Sequence, residues 1–168
     1  QISSLGTLEA RAGYRAALVD YLTRYHERLD EDGQRRLHSN PLRILDTKNP
    51  AMATVVAAAP KLMDFLGAAS LAHFNAVRAV LDAAGLAYSV NPRLVRGMDY
   101  YNLTVFEWTS PLLGAQATVC GGGRYDQLIE TLGGKPAPGI GFGLGMERLM
   151  LMLDAAGIVA PCAAPDAY

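Results

Sequence analysis

The fold is decided by nine residues in the second half of the chain, Tyr100-Tyr101-Asn102-Leu103-Thr104-Val105-Phe106-Glu107-Trp108. The stretch is dense in β-branched and aromatic residues, which favours a β-strand. A turn-forming segment at 110–114 follows, and residues 115–120 return to a strand pattern. Two long strands joined by a short loop pair antiparallel, and the chain shows no strand–helix–strand rhythm. The sequence therefore predicts an antiparallel sheet and disfavours a Rossmann sheet.

Further along the chain, four glycines alternate with large apolar residues: Gly139, Gly141, Gly143 and Gly145. On an extended chain this period of two places every glycine on one face of the strand. Because glycine weakens strands, four in register indicate that a flat ligand or another backbone approaches closely, or that the bare face only packs inside the protein. A helix is predicted to begin at Met146, which places Arg148 in its first turn beside the glycines.

Arginines are the candidate functional side chains. Arg96 precedes the aromatic stretch, and Arg148 follows the alternating glycines. A guanidinium makes planar, bidentate contacts with carboxylate or phosphate and stays charged, so the two indicate anion stabilisation. The chain has no Ser-His-Asp signature. A second glycine cluster at 121–123, before Arg124-Tyr125-Asp126, matches neither a P-loop nor GxGxxG, so a tight strand-to-helix turn and ligand binding both remain open.

The first half of the chain is predicted to be helical. Apolar residues and tyrosines recur at helical spacing over residues 14–29, after a predicted cap at Thr7. A short helix is expected between Pro50 and Pro60, and a later one from a cap at Ser70 to a terminating Gly85. Tyr14, Tyr21 and Tyr25 belong to this helical pattern. Their spacing favours a buried face of the helix over a row of rings that stack on nucleic-acid bases.

Composition excludes several classes of protein. The 168 residues are 51% apolar and 18% charged with a net charge of −1, which excludes a disordered tail and a globally basic nucleic-acid binder. Uncharged stretches such as 51–60 fall far short of the ~18 apolar residues that a membrane span needs. Two cysteines and three histidines show no ligand spacing, so no metal site is predicted, and a reducing cytoplasm is the expected location.

Three ordered segments resemble the histidyl-tRNA synthetase family. Residues 94–101, Leu-Val-Arg-Gly-Met-Asp-Tyr-Tyr, followed by 104–107, Thr-Val-Phe-Glu, are similar to the family's first signature. Residues 122–126, Gly-Gly-Arg-Tyr-Asp, are similar to the second. Residues 139–149, which end in Gly-Met-Glu-Arg-Leu, resemble the third motif shared by class II aminoacyl-tRNA synthetases.

The resemblance implies an α+β fold, with a class II antiparallel sheet flanked by helices and a helical insertion domain that clasps the tRNA acceptor stem. Residues 8–11 and 40–46 are similar to the insertion region. We expect residues 1–8 to end a preceding core segment and 9–85 to form the insertion. Residues 86–158 then form the C-terminal part of the core, and 159–168 a linker toward an anticodon-binding domain.

The resemblance also implies the reaction. Histidine attacks the α-phosphate of ATP, supplied with Mg²⁺, and the histidyl group of the adenylate passes to the terminal ribose of tRNA(His). The family's enzymes are expected to be homodimers without membrane contact. Arg96 is implied to bind the histidine carboxylate and the α-phosphate, and Arg148 the adenine ring and γ-phosphate of ATP.

The remaining implied site residues line two pockets. Tyr101 and Tyr125 are implied to line the histidine pocket, and Tyr100 is adjacent, although strand parity predicts that it faces away from Tyr101. The glycine face over Gly141, Gly143 and Gly145 is implied to leave room for the nucleotide.

Two rival interpretations stay open. The first is a synthetase-like regulatory subunit of ATP phosphoribosyltransferase, which senses histidine without charging tRNA. The second is a purely structural or interaction fragment, which neither histidine nor ATP stabilises. The first two class motifs and the anticodon domain are not found in the sequence, so we expect the chain to be a piece of a longer enzyme and to be inactive alone.

Overall fold

A computed structural model describes residues 1–47, 49–94 and 100–158. The predictions that concern Arg96 and the linker at 159–168 lie outside these residues. The strands are β1 (Ile2–Ser4), β2 (Asn102–Thr109), β3 (Thr118–Arg124) and β4 (Ile140–Leu144). The helices are α1 (Leu8–Thr23), α2 (Glu31–Ser39), α3 (Ala53–Ala57), α4 (Ala68–Ala83), α5 (Leu128–Thr131) and α6 (Met146–Ala155).

The four strands form one antiparallel sheet in the order β1-β2-β3-β4. Val105 lies opposite Ser3 on one side and Gly123 on the other, and Gly123 lies opposite Gly141. Because every strand pairs antiparallel with its neighbour, the prediction of an antiparallel sheet is confirmed. Strand β2 begins at Asn102, two residues later than the sequence predicts. Strand β3 begins at Thr118 rather than at residue 115.

Of the two interpretations left open for Gly121–Gly123, the tight turn is wrong, because these glycines lie inside β3. A Cβ built on Gly122 would lie 2.2 Å from the carbonyl oxygen of Gly141, and one on Gly123 would lie 2.8 Å from the carbonyl oxygen of Thr104. The backbones on both sides approach so closely that no side chain fits between them. The glycines therefore serve the packing of the sheet.

The extended segment predicted from the alternating glycines is confirmed: Gly141 and Gly143 lie inside β4, and Gly139 and Gly145 flank it. Their apolar neighbours point to the opposite face, where Ile140 is 71% and Phe142 70% exposed. The helix that follows, α6, begins at Met146 and carries Arg148 in its first turn, as the sequence predicts.

A bulge interrupts β2 at its first residues. Asn102 pairs with Arg124 and Val105 with Gly123, so two residues of β2 face none on β3. One of them, Leu103, has φ 49°, a left-handed conformation that is uncommon for leucine. Its N–H donates to the carbonyl oxygen of Gly6 at 3.0 Å, and its carbonyl accepts from the N–H of Leu5 at 2.6 Å. The short segment between β1 and α1 thus holds the strained residue in place.

The first helix confirms its predicted start. The hydroxyl of Thr7 accepts from the N–H of Ala10 at 3.2 Å, and Tyr14, Leu18 and Leu22 are buried. The tyrosines belong to the core, as interpreted, since Tyr21 also packs on it and donates its hydroxyl to the carbonyl of Val55 at 2.9 Å. The stripe is broken after Thr23 and continues through a short 3-10 helix, His26–Arg28.

The predicted cap at Ser70 is wrong. Gly67 caps α4 with an extended backbone, so the helix begins one turn earlier and Ser70 is buried inside it. Gly85 does end the helix region, with φ +65°. The apolar side chains of α4 are unevenly covered: Phe74 is buried, whereas Val80 is 67% exposed.

The largest group of buried side chains joins the helices to the sheet, because Tyr101 and Val105 pack with residues of α1 to α3. Helix α4 packs on β1 and β2 instead. The proposed domain boundaries stay predictions. Among the described residues no single helix is long and apolar enough to cross a membrane. The segments Pro50–Phe65 and Ala68–Ala83, which meet at a bend of 98°, have the length and apolar composition of a membrane span only when they are taken together.

Candidate functional site

Three tyrosine rings meet at the ends of β2 and β3. The ring centroids of Tyr100 and Tyr101 are 4.6 Å apart, those of Tyr100 and Tyr125 are 5.8 Å apart and perpendicular, and those of Tyr101 and Tyr125 are 6.2 Å apart. The prediction that Tyr100 faces away is wrong, because β2 begins only at Asn102 and strand parity does not govern the residues before it. The structure brings together all three predicted tyrosines.

The glycine face of β4 lies against one of these rings. A Cβ built on Gly139 would lie 2.5 Å from Cε2 of Tyr125, and one on Gly141 would lie 2.6 Å from its hydroxyl oxygen. A Cβ on Gly143 would meet nothing within 4 Å. The face is therefore divided into one half that Tyr125 covers and another half that is open.

Arg148 lies at the open half. Its side chain is half-buried, and its Cδ lies 3.3 Å from the position of a Cβ on Gly145. Its guanidinium donates to the carbonyl oxygen of Thr118, and the Thr118 hydroxyl donates to the Glu107 carboxylate at 3.2 Å. The arginine predicted to bind the nucleotide thus lies beside the glycines predicted to admit it. Arg96 lies outside the described residues, so its convergence with Arg148 stays a prediction.

A polar cluster that the sequence analysis did not identify borders the tyrosines. Asn102 follows Tyr101 directly, and Arg124 and Asp126 flank Tyr125 on either side. Burial by itself raises the pKa of the Asp126 carboxyl. Hydrogen bonds from Arg124 and Asn102 outweigh burial and hold that pKa below its ordinary value of 3.8. The sequence offered one sign of this cluster: each of its three residues is next to a predicted site tyrosine, in a segment that resembles the family.

A cavity beside the sheet lies away from the three tyrosines and Arg148. It has a volume of about 900 Å³ and lies between α4 and the sheet face that carries Phe106 and Trp108. None of the three tyrosines lines it, nor does Arg148. It is therefore not the site predicted from the sequence. Among the residues that the structure describes, no group of three or more His, Cys, Asp or Glu side chains could hold a metal ion.

Comparison with known proteins identifies the class of protein that this sheet and site define. A family profile described as histidyl-tRNA synthetase matches residues 7–149. The histidine–tRNA ligase of Neisseria meningitidis serogroup C / serotype 2a is 62% identical over all 168 residues, and that of Alkalilimnicola ehrlichii is 61% identical over the same length. The chain belongs to the histidyl-tRNA synthetase family.

A solved structure gives the same result. The apo histidyl-tRNA synthetase of S. aureus superposes with a TM-score of 0.68 at 40% identity over 95% of the chain. The α+β fold predicted for the chain is thereby confirmed. The chain spans 39% of the length of the curated relatives named above and 39% of the S. aureus chain.

Proposed function

We propose that this chain is part of the catalytic domain of a longer histidine–tRNA ligase. The observation that carries the proposal is the arrangement on one face of the sheet: three tyrosines at one end of a glycine strand and Arg148 at the other. A phenol hydrogen-bonds an imidazole nitrogen well, and a strand without side chains admits a flat nucleotide. The relatives named as histidine–tRNA ligases support the same substrates for this protein.

The proposed reaction has two steps, each of them a nucleophilic substitution. A carboxylate oxygen of L-histidine bonds to the α-phosphorus of ATP, and pyrophosphate leaves with the electron pair of the broken bond. A ribose hydroxyl of tRNA(His) then attacks the carbonyl carbon of the adenylate, loses its proton and displaces AMP. Magnesium accompanies ATP as part of the substrate. The full-length enzyme is proposed to act as a homodimer in the cytoplasm.

Charge stabilisation is the proposed role of the arginines. Arg96 binds the histidine carboxylate and the α-phosphate, where negative charge builds in the transition state. Arg148 contacts the adenine ring and the γ-phosphate. Donors fixed in place before the reaction stabilise a transition state without reorganising, and loss of one commonly costs a factor of about 10²–10³ in rate.

The histidine pocket is proposed to be formed by Tyr101 and Tyr125, with Tyr100 as a wall. The structure supports this with the short distances between the rings. The nucleotide is proposed to lie over Gly143 and Gly145, while Gly141 is the boundary between the two substrates because Tyr125 lies over it.

The test uses the full-length protein that carries this chain. We expect histidine-dependent ATP–pyrophosphate exchange, transfer of histidine to tRNA(His), and loss of both when Arg148→Ala is introduced. We expect the isolated 168 residues to catalyse neither reaction. A full-length protein that binds histidine but transfers none to tRNA would contradict the proposal and would favour the regulatory subunit.

A further inference from the structure

A hydrogen-bonded cluster ties together the two segments that carry the pocket tyrosines. The side-chain amide of Asn102 donates to Oδ2 of Asp126 at 3.2 Å, and the backbone N–H of Asp126 donates back to Oδ1 of Asn102 at 3.0 Å. The two residues are 24 positions apart in the chain. Since Asn102 adjoins Tyr101 and Asp126 adjoins Tyr125, this reciprocal pair links the two tyrosines through one residue on each side.

Two further contacts hold the segment around Tyr125. Nε of Arg124 donates to both carboxylate oxygens of Asp126, at 2.7 and 2.8 Å. The N–H of Tyr125 donates to the carbonyl oxygen of Gly139 at 2.8 Å. Because the side chains of Arg124 and Asp126 are only 32% and 26% exposed, water screens this charged pair less than it screens a surface pair. The position of the Tyr125 ring over the glycines is therefore determined by its neighbours.

The bulge in β2 brings Asn102 into this cluster. Leu103, in its left-handed conformation, separates the regular part of β2 from Asn102, which still pairs with Arg124. Strained backbone persists where surrounding contacts hold it and is concentrated at functional sites.

We propose that Asn102 and Asp126 are positioning residues that set the separation of the Tyr101 and Tyr125 phenols for the imidazole of histidine. The inference rests on the proposed function, since it needs a histidine pocket at these tyrosines. Neither residue contacts the imidazole; each acts through the tyrosine beside it. A cluster that only stabilised the fold would affect unfolding and leave the KM for histidine unchanged.

The test is a reciprocal exchange of the two side chains in the full-length protein. Asn102→Asp places two carboxylates face to face, and we expect the KM for histidine in pyrophosphate exchange to rise about tenfold. The KM for ATP stays within twofold. Combining it with Asp126→Asn restores one amide and one carboxylate: the new amide nitrogen at position 126 donates to the carboxylate at position 102, and its oxygen still accepts from Nε of Arg124. The backbone N–H at position 126 still donates to position 102. The double variant is expected to return to within threefold of the original KM. Asn102→Ala gives the same comparison, without an added charge, if Asn102→Asp does not fold.

Asp30→Ala is the matched control. The Asp30 carboxylate caps α2 by accepting from the N–H of Gly33 at 2.8 Å, so its loss lowers stability away from the tyrosines. If Asn102→Asp behaves like this control, with lower stability and an unchanged KM for histidine, the positioning role is overturned. Failure of the double variant to restore the KM overturns it as well.

The two proposals fail in different ways. An unsubstituted full-length protein without histidine-dependent exchange overturns the proposed function and this inference with it. If the full-length protein is active and its KM for histidine is unchanged by Asn102→Asp and by Asn102→Ala, the inference alone is overturned.

Discussion

Replacing Gly141 by alanine tests how the glycine strand is divided between its two proposed substrates. The new Cβ would lie 2.6 Å from the hydroxyl oxygen of Tyr125 and 3.2 Å from its Cε1. Ordinary contacts begin near 3.4 Å, so the hydroxyl must move by about 0.8 Å, the difference between 3.4 and 2.6 Å. The ring end gives way more easily than backbone, and we therefore expect the free energy of unfolding to fall by only about 1 kcal/mol.

The effect on histidine should be larger than the effect on folding. A 0.8 Å shift breaks a hydrogen bond whose useful range is about 0.5 Å wide, and misplacement by about 1 Å can cost a factor of about 10². We expect Gly141→Ala to lower kcat/KM for histidine about tenfold to hundredfold in pyrophosphate exchange by the full-length protein. The KM for ATP is expected to change much less.

Gly143→Ala is the matched control on the same face of the same strand. Its Cβ would meet nothing within 4 Å, and its φ is not in the left-handed region. The substitution also reduces the freedom of the unfolded chain, so we expect stability to stay equal or to rise by about 0.4–1 kcal/mol. If the nucleotide lies on this open half, the methyl group raises the KM for ATP and leaves that for histidine unchanged. A folded Gly141→Ala protein with kcat/KM for histidine within twofold of the original would refute the reasoning.

Two further predictions concern stability. Gly122→Ala places its Cβ 2.2 Å from the backbone carbonyl oxygen of Gly141, which cannot move without breaking the pairing of β3 and β4. We expect a loss of about 3 kcal/mol or more in urea unfolding, and a loss below ~1 kcal/mol would contradict the close packing. Burial raises the pKa of Tyr14 to about 12, although the charge of Arg93 opposes it. The pKa of Tyr14 in the folded chain lies above its unfolded value near 10. The contribution of Tyr14 to the free energy of unfolding is therefore fully present below pH ~10 and falls by about 2–3 kcal/mol as the pH rises to ~12. Tyr14→Phe should lack that part of the alkaline loss, and an identical pH profile would contradict it.

Some of the fold could be predicted because single residues decide it locally. The Thr7 side chain reaches the N–H of Ala10 and caps α1, and the alternation of glycines with large apolar residues around β4 indicates an extended chain with one bare face. Such features depend on neighbours in sequence, so periodicity and capping rules suffice to find them.

Other features depend on distant segments and could not be predicted in that way. Gly121 to Gly123 have the composition of a turn, and only the approach of β2 and β4 on either side explains why they form a strand. Ser70 has the chemistry of a cap, yet α4 begins before it at Gly67. In both cases packing overrides local preference.

The site depends most strongly on such long-range geometry. Strand parity is a rule for paired residues, and it fails for Tyr100 because the β2 bulge ends the regular strand before the tyrosines are reached. Leu103 gives no sign in sequence of its left-handed backbone, since leucine is rarely found there. That irregularity lets Tyr100 and Tyr101 approach Tyr125 together, while Asn102 remains paired with the next strand. The residue types in the sequence therefore indicate the chemistry of the pocket. Its shape depends on the bulge in β2, which is seen only in the folded chain.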